Sequence, residues 1–201
     1  MDNHPLNSIC PYYSMFPLNF PCDILSRDDS KGTVLDPFCG RGTTTFSAGY
    51  FRRKVISTDI NPVALAITKA KTSIVSPKEI CQLAKKLMAN DDIEDVPSDE
   101  YWKLAFNCEV LSKLCNIRNG LFRLEGPVAD ALRGVILGCL HGPLQIDASY
   151  LSNQMQRTFS PKPDYAIRYC NKNQLLPPKV DILKVIEKKA IRAFSNPPFD
   201  K

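Results

Sequence analysis

Apolar residues fall first into two short runs and afterwards into helical stripes. Thr33-Val34-Leu35 reads as a buried strand that passes through Asp36 into a glycine turn and then a helix to about Tyr50. Lys54 to Thr58 repeats the pattern and stops at Asp59. Asn61-Pro62 then opens a helix from Val63 to Lys71, with proline in the first turn, where its missing N–H is tolerated. Together these pieces predict one βαβα unit. Such a unit closes with a right-handed crossover and sets its loops on the carboxyl edge of a parallel sheet, where ligands of open α/β folds bind.

From Ser76 the period lengthens, and Ile80, Leu83, Ala84, Leu87 and Met88 share one helix face. Asn90 to Glu100 holds six acids in eleven residues and Pro97, the pattern of an exposed loop. Ser98 is placed to cap the next helix, with Asp99 and Glu100 in its first turn and Trp102, Phe106, Val110 and Leu114 as its stripe. A further helix is predicted over Val128 to Leu140, stopped by His141-Gly142-Pro143. Ser149 to Pro163 reads as polar loop, and Asp164 to Cys170 fits a short helix or a strand. After Pro177-Pro178, Asp181 caps a last helix with Leu183, Ile186, Ala190 and Phe194 on one face, ending at Ser195-Asn196-Pro197-Pro198-Phe199. There is no internal repeat. The expected division is a βα core over 1–75, a mainly helical insertion over 76–178, and a terminal helix with its tail over 179–201.

With 201 residues, 44% of them hydrophobic and 23% charged, the chain can bury a core. No run of eighteen apolar residues occurs, and Asp2, His4, Asp23 and Arg27 interrupt the first thirty positions. Membrane spanning and secretion are therefore not expected, and a cytoplasmic location is. The eight cysteines are scattered without a CxxC pair, and only His4 and His141 accompany them. Reduced thiols, most of them small core residues, are expected, with no metal site. Net charge is +5, but residues 151–201 hold ten Lys/Arg against four Asp/Glu. This surplus suits a phosphate backbone, and equally a solvated helix face.

The richest segment for chemistry is Asp36-Pro37-Phe38-Cys39-Gly40-Arg41-Gly42-Thr43-Thr44-Thr45. A phosphate-binding P-loop needs Lys-Ser/Thr after its second glycine, and threonines stand there. A nicotinamide fingerprint needs glycine or alanine where Thr45 stands. What remains is a loop offering bare backbone to a cofactor without pyrophosphate, with one acid before it and another at the tip of the next strand. S-adenosylmethionine fits. Gly40 and Gly42 let the chain approach the methionine part. Asp36 is placed to accept from its ammonium group, Asp59 from the ribose hydroxyls, and Phe38, Ile60 and Pro62 to wall the adenine. The plainer readings are a tight turn without ligand, a turn-forming Asp59 before Asn-Pro, and ordinary packing for Tyr13 and Phe16.

The segment Asp36 to Thr44 resembles the cofactor-binding motif of amino-group DNA methyltransferases, the N4-cytosine and N6-adenine class. Tyr12-Tyr13-Ser14-Met15-Phe16-Pro17 resembles the segment those enzymes place beside the cofactor, and Thr58-Asp59-Ile60-Asn61-Pro62 their acidic second-strand motif. His141-Gly142-Pro143-Leu144 and Tyr150 to Met155, through Pro161-Lys162-Pro163-Asp164-Tyr165, are similar to the region between cofactor and catalytic motifs in one branch. The resemblance implies a Rossmann-like, S-adenosylmethionine-dependent methyltransferase core of the α/β class, incomplete here, with a large helical insertion that helps recognise DNA. It implies methyl transfer to cytosine N4 or adenine N6 of a flipped base, in a restriction-modification setting. The cofactor contacts it implies are Phe16, Asp36, Pro37, Phe38, Gly40, Gly42, Thr43, Thr44, Asp59, Ile60 and Asn61. RNA methyltransferases carry a similar Asp-Pro-Phe-x-Gly-x-Gly-Thr sequence and are the nearest rival. A noncatalytic module keeping only the cofactor or DNA surface is the rival from another class.

The same family resembles itself in a second motif, Asp/Asn/Ser-Pro-Pro-aromatic, which holds the target amine and stacks on the flipped base. Asn196-Pro197-Pro198-Phe199 matches it by letter as the catalytic candidate. The residues before it, with Glu187, Lys188, Lys189 and Arg192, read as an amphipathic helix where a buried strand is expected, and only Asp200 and Lys201 follow. A helix ended by two prolines is the plain account. Two strands stand where such a fold needs about six or seven. The expectation is therefore an N-terminal part, truncated or completed by a second polypeptide carrying the catalytic half.

Overall fold

The computed structural model describes residues 4–13, 15–30, 32–90, 96–142, 149–152 and 163–199. A 3-10 turn at Pro5–Ser8 and helix α1 (Asn19–Arg27), neither anticipated from the sequence, precede the sheet. The two apolar runs form β1 (Val34–Asp36) and β2 (Val55–Ser57), joined through α2 (Thr43–Tyr50). They pair in parallel, Val34 with Val55, Leu35 with Ile56 and Asp36 with Ser57. Thr45 Oγ1 and Ser57 Oγ share a hydrogen bond of 2.6 Å that pins α2 to β2. Helix α3 (Pro62–Thr72) begins where the sequence places it, because Asn61 Oδ1 accepts from Val63 N at 3.0 Å and Pro62 needs no partner.

Helices fill the rest of the description: α4 (Pro77–Met88), α5 (Glu100–Ala105), α6 (Cys108–Phe122), α7 (Pro127–Cys139), α8 (Pro163–Lys172) and α9 (Ile182–Phe194). Helix α4 starts with a reciprocal cap: Glu79 N donates to Ser76 Oγ at 3.3 Å, and Ser76 N to Glu79 Oε2 at 2.8 Å. Ser76 Oγ also donates to Glu79 Oε2 at 2.7 Å, and this bond, together with the one from Ser76 N, holds the Glu79 carboxyl below its ordinary pKa. The stripe expected as one helix from Trp102 to Leu114 divides into α5 and α6. Phe106 is extended and buried, and Asn107 Oδ1 accepts from Glu109 N to begin a new helix. Asp99, not Ser98, occupies the position before α5. Asp181 caps α9 as expected, its Oδ1 accepting from Lys184 N at 3.2 Å.

The expected Rossmann-like α/β core is not what the chain forms. Among the described residues the sheet has two strands, and the segment that fitted helix or strand at 164–170 is helix α8. The fold is mainly helical with a small parallel sheet. A glycine loop and two strand tips specify one crossover, but strand number depends on the remaining sequence. There the apolar positions recur at helical spacing, and Ser76, Asn107 and Asp181 start helices.

One buried cluster joins all three expected segments, from Leu6 and Phe46 through Ile80, Ile117, Leu132 and Val135 to Ile186 and Phe194. Helices α3 and α7 approach closely because Gly134 has no side chain; a Cβ there would lie 2.4 Å from that of Ala70. The sheet is covered on one side only: Leu35 and Ile56, directly paired, are 67% and 57% exposed. No described helix is long and apolar enough to cross a membrane. Ser14, residues 91–95, Pro143 and Leu144, Asn153 to Lys162, and Asp200 and Lys201 lie outside the described residues.

Candidate functional site at the strand tips

The two strands end side by side, and backbone pairing carries on into their loops. Thr58 N donates to Asp36 O at 3.0 Å, and Cys39 N to Thr58 O at 2.9 Å. The chain then reverses into α2 through Gly40 (φ +50°) and Gly42 (φ +73°), both in the left-handed region that glycine alone enters freely. Gly42 has a second reason to be glycine: a Cβ would sit 2.5 Å from Thr68 Oγ1 on α3.

Asp59 binds the loops together. Its Oδ2 accepts from Gly40 N at 2.8 Å and its Oδ1 from Asn61 N at 2.9 Å. Each oxygen keeps a further lone pair for a ligand. Asp36, half-buried, accepts among the described residues only a long 3.4 Å bond from Phe38 N. Phe38 and Ile60 stand out from the two loops, 87% and 101% exposed, while Thr43 is buried and Thr44 half-buried. Asp36, Pro37, Phe38, Gly40, Gly42, Asp59, Ile60 and Asn61 are thus assembled at one edge of the sheet. Phe16 packs edge-on against Phe20 of α1, ring centroids 5.4 Å apart, and is partly exposed.

Tyr12 was not singled out as a site residue, yet it ties both loops. Its hydroxyl accepts from Asn61 Nδ2 at 3.0 Å, and its ring lies where a Gly40 Cβ would make ordinary contact at 3.6 Å. Arg41 was also missed. It is buried beneath the loop with Nη1 against Met15 Sδ at 2.5 Å, and its Nε and Nη2 have no hydrogen-bond partner among the described residues. Nearby, the fully buried Lys71 donates to Asn7 Oδ1 at 2.8 Å, 5.9 Å from the centre of the Phe46 ring. Burial, aided by the Arg41 charge, brings the Lys71 pKa down to about 6. Burial also lowers that of Arg41 and raises the Cys10 thiol to about 11. The only sequence signal for this cluster was a charged residue between two glycines.

The residues Asn196 to Phe199 are not brought to this edge. Phe199 packs against Phe46 and Tyr50, with ring centroids 5.3 and 5.5 Å apart, and its ring covers Gly49. These contacts run along α2 from Phe46 to Tyr50. Asn196 O pairs with His4 Nε2 at 3.1 Å, and Pro197 is exposed after α9.

A second concavity of about 880 Å³ lies between α3, α5, α6 and α7, lined by Val63, Trp102, Phe106, Leu114, Ile136 and His141 among others. Here the motif pieces His141-Gly142 and Tyr150-Leu151-Ser152 meet, with His141 Nδ1 2.9 Å from Ser152 Oγ and Leu151 N donating to Cys139 O. Burial lowers the His141 pKa to about 4, so it is neutral at pH 7. Among the described residues no group of three His, Cys, Asp or Glu is arranged for a metal ion. No family model, curated protein or solved structure is significantly similar to this chain.

Proposed function

We propose that this chain is the S-adenosylmethionine-binding part of an enzyme that methylates an exocyclic amino nitrogen, cytosine N4 or adenine N6, of DNA. The observation that carries the reading is the pair of left-handed glycines in the loop after β1, with Asp36 before them and Asp59, just after the paired strand β2, bonded to Gly40 N. When bound, the cofactor supplies a methyl group on a positively charged sulfur. Asp36 has acceptor capacity for an ammonium group, Asp59 retains lone pairs for hydroxyls, and Phe38 and Ile60 offer uncovered apolar surface for an adenine ring.

The position of Asn196 to Phe199 against α2 favours a form of this reading in which a second polypeptide carries the residues that hold the target amine. DNA would meet exposed Lys184, Lys188 and Arg192 of α9. Calorimetry with S-adenosylmethionine tests the pocket, with Asp36→Ala expected to abolish binding; no heat with the unaltered chain rejects the assignment. Transfer of labelled methyl to duplex DNA and to RNA, with and without the polypeptide encoded next to this chain, tests the rest. Transfer to RNA alone replaces the DNA reading, full transfer by the isolated chain removes the second polypeptide, and binding without transfer in any combination leaves a noncatalytic module.

A further inference from the structure

We propose that Arg41 pairs with the carboxylate of the ligand held by the glycine loop, which makes the site selective for an amino-acid end carrying both charges. The proposal rests on the cofactor reading and goes beyond it by assigning the methionine carboxylate a partner.

Its first support is the orphaned guanidinium. Arg41 stands between Gly40 and Gly42 and is 95% buried, reading from its 5% exposure, yet two of its three nitrogens make no hydrogen bond among the described residues. The third rests on a thioether, which is a weak acceptor. Buried donors without partners are rare, and a buried cation without a counter-ion is costly. Among the described residues the charged and titratable groups acting on Arg41 are Cys10 and Lys71, and neither is an anion at neutral pH. A guanidinium presents a planar fork that a carboxylate fills with two parallel bonds.

The second support is the cover. Met15 is 51% exposed although its sulfur lies on Nη1, so its side chain has room to leave. The segment around it crosses the loop, with Tyr12 against Gly40 and Cys10 near Arg41. A carboxylate that displaces the Met15 thioether reaches the open donors of Arg41, while Asp36 at the strand tip remains for the ammonium group of the same amino acid. Acid and cation then lie five residues apart on one loop, matched to the two charges of a zwitterion.

The test compares S-adenosylmethionine with decarboxylated S-adenosylmethionine by calorimetry at neutral pH, on the full chain and on Arg41→Met and Arg41→Lys. The unaltered chain is expected to prefer the carboxylated ligand by about tenfold or more, as a charge-assisted pair predicts. Arg41→Met removes that preference and leaves affinity for the decarboxylated ligand unchanged; Arg41→Lys restores part of it. Equal affinity of the unaltered chain for both ligands overturns the proposal without any variant having to fold. A variant that weakens both ligands alike overturns it too, since that marks a structural role. If the unaltered chain binds neither, the cofactor reading itself has failed.

Discussion

The strand-tip end and the helical body treat apolar surface in opposite ways. In the body, Leu132, Val135 and Ile186 are fully buried in one continuous cluster; at the sheet, Leu35, Ile56, Phe38 and Ile60 face solvent. Parallel strands are ordinarily covered on both faces, so surface left open here does not contribute to folding of this chain. The body holds the molecule together, and the strand-tip end leaves its apolar groups uncovered. Truncating an apolar residue in each region tests the contrast most severely. Ile186→Ala is expected to cost about 2–5 kcal/mol by chemical denaturation, and Leu35→Thr less than about 0.5 kcal/mol. Similar losses at both positions would show that the sheet face is covered in solution.

A smaller effect separates the two glycines of the loop. Gly42→Ala combines a left-handed backbone with a clash against Thr68 Oγ1, and about 1–3 kcal/mol of stability should be lost. Gly40→Ala meets only the Tyr12 ring at contact distance, so its loss should be limited to backbone strain, about 1 kcal/mol. Thr68→Ala in the Gly42→Ala background should recover the difference in thermal melts. If both glycine variants cost the same, close approach of α3 is not what Gly42 serves.

Beneath the loop the two regions share a cost that depends on pH. Lys71 resists protonation in the folded state until about pH 6, whereas its unfolded counterpart takes up a proton near 10.5. Between these values the unfolded state binds more protons, so stability contributed through Lys71 is lost as pH falls from 10.5 towards 6 and changes no further below. Lys189, lowered by burial, acts in the same sense; Cys10, raised to about 11, opposes it above pH 9, and His141 adds a loss below about 6.5. The clean window is pH 7 to 8.5. There the stability of the unaltered chain relative to Lys71→Met should rise by about 1 kcal/mol per pH unit. A flat difference would mean that Lys71 is charged when folded.

Local elements were legible because each carries its own signal. Asn61-Pro62, Ser76 with Glu79, and Asp181 start helices through side chains within three residues of the bonds they make, and β1 and β2 are bounded by Asp36 and Asp59. The strand-tip acids and glycines were readable for the same reason, since a turn needing positive φ shows in two glycines. Whatever depended on distant partners was not readable. The division at Phe106 and the packing of Phe199 on α2 follow from tertiary contacts. So do the bonds of Asp59 to Gly40 and of Asn61 to Tyr12, and the burial of Arg41 under Met15. A motif predicted the loop's conformation correctly and the sheet around it wrongly, because the first is a property of ten residues and the second of the whole chain.

The smallest effect on folding is expected at the most exposed positions, and it sharpens the contrast most. Phe38 and Ile60 remain almost fully in water, so Phe38→Ala and Ile60→Ser remove little buried area, and each should leave stability within about 0.5 kcal/mol. If these side chains wall an adenine ring, the same variants should weaken S-adenosylmethionine several-fold, because surface that is open in the free chain becomes covered only in the complex. The double variant decides between the alternatives for this end of the molecule. Unchanged stability with weakened binding makes the strand tips a ligand surface. Unchanged stability with unchanged binding removes Phe38 and Ile60 from the adenine wall.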